Sequence, residues 1–451
     1  MKLCTLLVAA LSFGICCEIL AAAPPNIIVL VTDDHRADSL GCAGTPILHT
    51  PNLDEFARQG VRFENAFVTT SICAMSRATM MLGQYQSRHG IDDFQTSLSP
   101  AQRDASYFGR LKQEGYYLGF IGKWGVAEPS RELFDFDRGF PGQGRFFDPK
   151  HPERPHLTIR MGNQAFKFLD ECPADRPFCL SISFKAAHIQ DGDKETPYPF
   201  EPDLADLYAD EEIPRYPLSE SEFIAKQPPF LQSNEARVRW AISFDTDEKY
   251  QRNVKGHYRQ ISGVDRVVGR IRRKLAELGH DKNTVILFTS DNGYFLGDRG
   301  WAGKWFAHEA SIRVPLIIYD PRMPRDQAGK VREEFALNID LAPTVLDFAG
   351  LEPSEGMQGV SLKPIVEGQT PSDWRTEFYY EHTYQPETIP SSEAVRTERY
   401  KYIRYLGRDF EEFYDLETDP IEANNLIDDP KSQQLVAELK DRLTELREAA
   451  K

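Results

Sequence analysis

Five short apolar runs constrain the fold of this 451-residue chain more than any other feature of its sequence. They are Asn26–Val31, Tyr117–Ile121, Phe178–Phe184, Val285–Thr289 and Val314–Tyr319. Runs that are nearly continuous in Ile, Val, Leu and Phe are typical of strands covered on both faces, as in a largely parallel sheet. Helical segments lie between them, one from Thr50-Pro51 to Gly60 and one from Ile261 to Gly279. This alternation predicts an α/β fold, with a large, mixed, mostly parallel sheet sandwiched by helices.

The sequence pattern changes after about residue 365. Residues Val395–Leu406 alternate like an exposed antiparallel strand, Glu411–Leu416 resembles its partner, and Gln433–Ala449 has the spacing of an amphipathic helix. In that helix Leu435, Leu439, Leu443 and Leu446 are expected to point inward. We therefore predict a catalytic domain over residues 24–365 and a small C-terminal α+β subdomain over residues 366–451. The segment Asp191–Lys255 is rich in proline and acidic residues and lacks clear periodicity, which predicts a long surface excursion.

The first 23 residues have the features of a secretory signal peptide. Lys2 precedes the apolar run Leu3–Cys17, and the small residues Ala21-Ala22-Ala23 follow. The alternatives are a retained anchor and a lipoprotein, but a run of roughly 15 residues is short for a membrane span. We expect a secreted or periplasmic protein with no membrane association after signal removal. The absence of an Asn-x-Ser/Thr sequence beyond the signal favours a bacterial source.

Charge and cysteine content exclude further classes. The formal charge of −16 argues against a nucleic-acid partner, which would require a basic face. An anionic substrate would therefore need a locally basic pocket. Four cysteines follow the predicted signal, too few for a disulfide scaffold: Cys42, Cys73, Cys172 and Cys179. Cys172 and Cys179 are close enough to pair, although two free thiols explain the sequence equally well.

Polar residues follow the predicted strands where these end. Asp33-Asp34, Lys123, His188 and Asp291-Asn292 each come after a different apolar run. Taken alone, each is more typical of a turn, a surface charge or a hydrogen-bonded loop residue. The carboxyl ends of the strands of an open α/β sheet face one crevice, however, so these side chains are expected to converge. Three carboxylates and one amide oxygen form a set that Ca²⁺ or Mg²⁺ prefers over zinc or copper.

A cysteine precedes a helix-like stretch in the segment Thr69–Gln84. Cys73 would lie at a helix N-terminus, where anions bind, and Arg77 would lie one turn later on the same face. An unmodified cysteine here is either a low-pKa nucleophile or an inert buried thiol. A thiolate would be an unusual ligand for a hard cation.

Together these residues resemble the formylglycine-dependent (type I) sulfatases of the alkaline-phosphatase superfamily. In that family Cys-x-Pro-Ser-Arg marks a cysteine that is oxidised to an aldehyde, and here Cys73-Ala74-Met75-Ser76-Arg77 occupies its place. The resemblance covers most of the chain after the signal. It includes IIVLVTDDHRADSLGC (27–42), GFIGKWG (119–125), the strand before His188, LFTSDNGYFLGDRGWAGKWFAHEASIRVPLIIYDPR (287–322), YKYIRY (400–405) and FYDLETDPIEANNL (413–426).

The resemblance implies a role for each site residue. Asp33, Asp34, Asp291, Asn292 and the modified Cys73 would bind Ca²⁺, with Mg²⁺ as the alternative. Arg77 would hold the formylglycine, Lys123 and Lys304 would bind the sulfate oxygens, and His188 would protonate the leaving alcohol. The implied partners are a sulfated carbohydrate substrate and the maturation enzyme that generates formylglycine.

Two departures from the family pattern concern the site. Gly125 stands where the family usually has a histidine that contacts the formylglycine, and His35 and His308 are the candidates for that role. Met75 replaces the usual proline or alanine of the cysteine motif. The competing functions are a phosphate or phosphonate monoester hydrolase of the same superfamily and a non-catalytic binder of sulfated glycans.

Overall fold

The computed structural model describes residues 23–384 and 387–451, so the predicted signal peptide, apart from Ala23, lies outside the described residues. The strands are β1 (Asn26–Thr32), β2 (Val61–Phe63), β3 (Ala66–Phe67), β4 (Tyr117–Lys123), β5 (Phe136–Phe140), β6 (Phe178–Ser183), β7 (Thr284–Ser290), β8 (Phe295–Leu296), β9 (Ala302–Gly303), β10 (Leu316–Tyr319), β11 (Lys330–Arg332), β12 (Ala336–Leu337), β13 (Glu377–His382), β14 (Ser392–Thr397), β15 (Tyr400–Tyr405) and β16 (Glu411–Asp415). The helices are α1 (Pro51–Gln59), α2 (Cys73–Leu82), α3 (Gln86–His89), α4 (Pro100–Ala105), α5 (Tyr107–Gln113), α6 (Leu157–Glu171), α7 (Ser221–Ala225), α8 (Pro229–Gln232), α9 (Glu235–Ser243), α10 (Asp247–Glu277), α11 (Glu309–Ile312), α12 (Leu341–Phe348), α13 (Lys363–Val366) and α14 (Gln433–Ala450).

The central sheet has eight strands in the order β11-β2-β10-β7-β1-β6-β4-β5. Strand β1 pairs in parallel with both β6 and β7, and β4 pairs in parallel with β5 and β6. Only β10 runs antiparallel to its two neighbours in this sheet. The prediction of a mixed, mostly parallel sheet is confirmed, and all five apolar runs form strands of it.

Helices cover both faces of this sheet. Ile27 and Val29 of β1 belong to a core that includes residues of α2, α5 and α12. Ile28 and Leu30, which point to the opposite face, belong to a second core that includes residues of α1, α6 and α10. Since both faces are packed, the central positions of β1, Ile27–Val31, are all apolar, and polar residues occur only at its two ends, Asn26 and Thr32.

The C-terminal residues form a four-stranded antiparallel sheet, β13-β14-β15-β16, packed against α14. The prediction of one exposed strand over Val395–Leu406 is wrong: the segment contributes to two strands, β14 and β15, joined by a turn, and only the two turn residues, Glu398 and Arg399, are exposed. In α14 Leu439 and Leu443 are buried, while Leu435 and Leu446 are partly buried against the same cluster. The division at residue 365 stays a prediction.

The segment Asp191–Lys255 is more ordered than its sequence suggests. It contains α7, α8 and α9, and its last residues already belong to α10, which begins at Asp247. Tyr198, Tyr208 and Phe244 are buried with residues of α10 in a third apolar cluster. The segment is therefore packed onto the domain and is not a simple surface excursion.

All four cysteines of the described residues are free, including Cys172 and Cys179. Among the described residues, no helix is both long enough and apolar enough to span a membrane.

Candidate active site

The polar residues that follow the strands meet at the carboxyl edge of the sheet, as predicted. Asp33 and Asp34 follow β1, Lys123 ends β4, His188 lies five residues beyond β6, and Asp291-Asn292 follow β7. Cys73 is the first residue of α2, and Lys304 directly follows β9. With Arg77, these side chains are each at most 3% exposed.

Four of these residues form a cluster suited to a metal ion. Asp33, Asp34, Cys73 and Asp291 each offer one ligand atom, and these atoms lie within 4.8 Å of one another. Asn292 is tied to the cluster because its Nδ2 donates to Asp34 Oδ1 over 2.6 Å. Within the described residues, Asp34 Oδ2 and Asn292 Oδ1 are buried and have no hydrogen-bond donor. Unpartnered buried oxygens are costly, so this oxygen-rich set fits a hard divalent cation such as Ca²⁺.

Three cations balance the three carboxylates. Lys123 Nζ lies 2.5 Å from Asp33 Oδ2, Lys304 Nζ lies 2.5 Å from Asp34 Oδ1, and Arg77 contacts Asp291 Oδ2 over 2.7 Å. The added charge of a divalent cation would leave the cluster net positive, which favours an anionic ester.

The carboxylates of the cluster have different proton affinities. Burial would raise the pKa of Asp33, but Lys123, His188 and Lys304 outweigh burial and hold the pKa well below its ordinary value. For Asp34 burial prevails over Lys304 and raises the pKa to about 6. The negative charge is therefore held most firmly at Asp33.

Cys73 is a poor nucleophile as a plain thiol. Its Sγ lies 3.4 Å from Asp33 Oδ1 and accepts a hydrogen bond from Lys304 Nζ over 3.0 Å. Burial and the Asp33 carboxylate raise the pKa of Cys73 to about 12, so the group is protonated and uncharged. A neutral thiol is also a weak ligand for a hard cation.

His188 has a defined tautomer in the structure. Its Nδ1 lies 2.8 Å from the Ile189 carbonyl oxygen, and because a carbonyl can only accept, Nδ1 carries the proton. Its Nε2 lies 3.7 Å from Asp34 Oδ2. Burial holds the pKa of His188 well below its ordinary value, although Asp33 opposes the shift.

The side chain of Arg77 occupies the space above Gly125. A Cβ at Gly125, whose φ is +86°, would lie 2.4 Å from Arg77 Cδ. Arg77 Nη1 donates to the Lys123 carbonyl oxygen over 2.8 Å and also contacts Ser183 Oγ. Position 125 is therefore a glycine because the arginine passes across it, and no side chain from this position reaches Cys73.

The two histidines predicted as substitutes for the family histidine have other partners. The His35 ring contacts the Ser39 carbonyl oxygen over 2.7 Å and Thr32 Oγ1 over 3.2 Å. His308 Nε2 lies 3.3 Å from Oε2 of Glu412, a residue of β16. Neither contact includes Cys73, and the role of either histidine in contacting a formylglycine stays a prediction.

Two residues near the cluster were missed at the level of sequence. Ser183, the last residue of β6, supports Arg77, and Lys185 lies buried between β6 and His188. Their position at the end of a strand, before a predicted site residue, is the signal that could have identified them.

A cysteine at a helix N-terminus, lysines and an oxygen-rich metal set at the edge of this sheet are the features of hydrolases that act on tetrahedral oxyanion esters. The sequence profile described as Sulfatase matches residues 25–351, and the profile described as "N-sulphoglucosamine sulphohydrolase, C-terminal" matches residues 297–449. The chain belongs to the sulfatase family, whose members are sulfuric ester hydrolases, and this family is part of the alkaline-phosphatase superfamily.

Individual relatives agree with this assignment. The chain is 29% identical to an N-acetylglucosamine-6-O-sulfatase of Bacteroides thetaiotaomicron, over 89% of this chain and 82% of the relative. A solved structure bound to its substrate D-glucosamine-2-N,6-O-disulfate matches 95% of this chain and 98% of that chain, with a TM-score of 0.81 and 27% identity. A phosphonate monoester hydrolase of Agrobacterium radiobacter has the same TM-score of 0.81 over 95% of this chain and 96% of its own, at 23% identity, which shows a shared fold only.

Proposed function

We propose that this sulfatase hydrolyses sulfate esters of a carbohydrate through a formylglycine derived from Cys73, assisted by Ca²⁺. The observation that carries the proposal is the convergence of Asp33, Asp34, Cys73 and Asp291 within 4.8 Å, with Lys304 Nζ at 3.0 Å from Cys73 Sγ. The same cluster without a modified cysteine would combine a neutral thiol with a hard-cation site, two features that do not suit each other.

Asp33, Asp34, Asp291 and Asn292 would hold the cation through carboxylate and amide oxygens. The unpartnered Asp34 Oδ2 and Asn292 Oδ1 support this role most directly. The cation and the aldehyde hydrate together supply an oxygen nucleophile and a counter-charge for the sulfate oxygens.

The remaining side chains bind and move protons. Lys123 and Lys304 would transfer their hydrogen bonds from the carboxylates to sulfate oxygens, where they stabilise charge that develops as the ester bond breaks. His188 would donate a proton from Nε2 to the departing alcohol as the doubly protonated imidazolium, while Nδ1 keeps its own proton on the Ile189 carbonyl oxygen. A bound sulfate anion would favour this charged form against the burial that lowers the pKa of His188. Arg77 fixes Asp291 and crosses Gly125, and through these contacts it positions the residue at 73.

A carbohydrate substrate and export from the cell are supported by different observations. Two of the relatives named above, the N-acetylglucosamine-6-O-sulfatase and the protein solved with D-glucosamine-2-N,6-O-disulfate, act on or bind sulfated glucosamine derivatives. The N-terminal pattern around Lys2 and Ala21-Ala22-Ala23 supports export to the periplasm or medium, where polysaccharides are met.

Mass spectrometry of the tryptic peptide Phe63–Arg77, from protein made in its native host, tests the proposal. We expect the peptide to have lost one sulfur and two hydrogens and gained one oxygen at Cys73. Cys42, Cys172 and Cys179 provide an internal control, because they should remain thiols in the same digest. An intact thiol at Cys73 in native material would refute the formylglycine mechanism.

The same preparation tests two associated proposals. Cys73 is 1% exposed in the folded chain, so a maturation enzyme must act before folding is complete. The mature N-terminus should lie near Ala23. Turnover of matched sulfate and phosphate esters then separates a sulfatase from a phosphate or phosphonate hydrolase, and absence of turnover of either with an intact aldehyde would favour a glycan binder.

A further inference from the structure

Lys185 is a buried lysine for which the proposed reaction has no use. The side chain lies in the connection between β6 and His188 and is 1% exposed. Within residues 23–384 and 387–451, it forms no ion pair at 4.0 Å or less. The two other lysines of the site differ, since Lys123 and Lys304 both contact carboxylates. Burying an ammonium group without a paired carboxylate costs folding free energy, which suggests that Lys185 has a function at this position.

The hydrogen bond of Lys185 provides that reason. Its Nζ donates to the Ile189 carbonyl oxygen over 2.9 Å, and His188 Nδ1 donates to the same oxygen over 2.8 Å. A carbonyl oxygen has two lone pairs, so these two donors complete its hydrogen bonding. The ammonium therefore fixes the orientation of the carbonyl, and the carbonyl fixes the imidazole ring.

The surroundings of Lys185 hold the ammonium in place. Its Nζ lies 5.0 Å from the centre of the Phe146 ring, and the Phe146 amide donates to Gln190 Oε1 just beyond the shared carbonyl. Burial and the charge of Lys123 lower the pKa of Lys185 to about 8, while Asp191, Asp33 and Asp34 oppose the shift. These charges place the ammonium within electrostatic reach of the reacting groups.

We propose that Lys185 is a positioning residue for His188: it fixes the Ile189 carbonyl, which keeps one imidazole proton at Nδ1 and so turns Nε2, the nitrogen that donates in the proposed reaction, toward the leaving alcohol. This inference depends on the proposed function, in which His188 is the proton donor. Loss of Lys185 would free the carbonyl to rotate, and the ring would no longer be held toward the alcohol.

Leaving-group dependence separates this role from a merely structural one. We would compare kcat/KM for a series of aryl sulfates, from 4-nitrophenyl sulfate to phenyl sulfate, in wild type, Lys185→Met and His188→Gln, corrected for aldehyde content. Poor leaving groups need protonation and good ones do not, so Lys185→Met should lose roughly 100-fold on phenyl sulfate and much less on 4-nitrophenyl sulfate. Lys194→Met is the matched control, since Lys194 is an exposed lysine in the same connection, and its slope should equal that of wild type.

The outcomes distinguish the two proposals. If His188→Gln shows the wild-type slope, the assignment of His188 as proton donor is wrong. If His188→Gln is steep and Lys185→Met runs parallel to wild type, Lys185 does not position the ring and the inference is overturned. A measurement that needs no Lys185 variant is histidine ¹⁵N NMR of the wild-type protein, with His188 assigned from His188→Gln. A proton at Nδ1 is expected, and a proton found only at Nε2 would refute the proposal.

Discussion

Replacing Gly125 by histidine would restore the residue type that the family usually carries there, yet we expect a less stable and less active enzyme. The reason is local geometry. A Cβ at position 125 would lie 2.4 Å from Arg77 Cδ, and the backbone has a φ of +86°. Arg77 is 2% exposed and is held by Asp291, the Lys123 carbonyl and Ser183. The arginine must therefore leave this position before any side chain can enter.

The magnitude follows from two contributions. Placing a residue with a Cβ at a left-handed φ costs about 1–2 kcal/mol. Disrupting the buried pair of Arg77 and Asp291 costs about 3–5 kcal/mol, because an uncompensated charge remains. The expected loss in unfolding free energy is therefore roughly 4–7 kcal/mol, and alanine at this position is sufficient to cause it. If displacing Arg77 from Asp291 raises the activation free energy of the reaction by about 3 kcal/mol, kcat/KM falls roughly 100-fold.

Urea unfolding and aryl sulfate turnover of Gly125→Ala and Gly125→His measure these losses. Gly142→Ala is the matched control, because Gly142 has a φ of +66° but no atom within 4 Å of an added Cβ. The control should show only the conformational cost of about 1–2 kcal/mol, with unchanged turnover. If Gly125→His were as stable as Gly142→Ala and more active than wild type, our account of Arg77 would be wrong.

Three further expectations concern the metal, the ion pairs that Glu309 forms with Arg396 of β14 and Lys401 of β15, and the cysteines. Chelation should reduce turnover by roughly 100-fold, and Ca²⁺ at 100 times its Kd should raise the unfolding free energy by about 2.7 kcal/mol; no shift in thermal unfolding would argue against the metal site. Burial would raise the pKa of Glu309, but Arg396 and Lys401 outweigh burial and hold the pKa below its ordinary value of 4.5. The stability that results is fully present above about pH 4.5 and is lost as the pH falls, so Glu309→Gln should cost about 2 kcal/mol at pH 7 and progressively less in acid, as urea unfolding at several pH values would show. Cys179→Ser should cost about 1–3 kcal/mol because it buries a hydroxyl in an apolar core, whereas half-buried Cys172→Ser should change stability by less than about 0.5 kcal/mol. Equal losses for the two cysteines would instead indicate a disulfide.

The central sheet could be predicted because its strands leave little freedom to the sequence. Every residue of β1 and β7 is buried, and their central residues, Ile27–Val31 and Val285–Phe288, are all apolar, so both strands are recognisable without knowledge of the fold. The site residues could be anticipated because the carboxyl ends of the strands meet at one edge of the sheet, so the polar residues that follow those ends converge.

The hairpin formed by β14 and β15 was not recognised, because the apolar and polar residues alternate with the same period on both sides of its tight turn. Strands β14 and β15 are separated by only Glu398 and Arg399, and the alternating pattern passes through them without a glycine or proline. The prediction of a surface excursion was wrong for residues 191–246 for a different reason. Their buried aromatics pack against α10, and short helices stabilised by such contacts carry no periodic signal of their own.

Within the site, the sequence identifies which groups are present but not which of them share a contact. From the sequence alone, Gly125 is interpreted as the loss of a histidine. The contact with Arg77 that explains the glycine is not visible there, because the two residues are 48 positions apart in the chain (125 − 77). The sequence does not distinguish Lys185 from a surface lysine, because only the structure shows its burial and its hydrogen bond to the Ile189 carbonyl oxygen. Arg77 and Lys185 each contact a third group, Arg77 the Asp291 carboxylate and Lys185 the Ile189 carbonyl oxygen. A motif records only side-chain identities, so contacts of this kind become visible only when the backbone path is known.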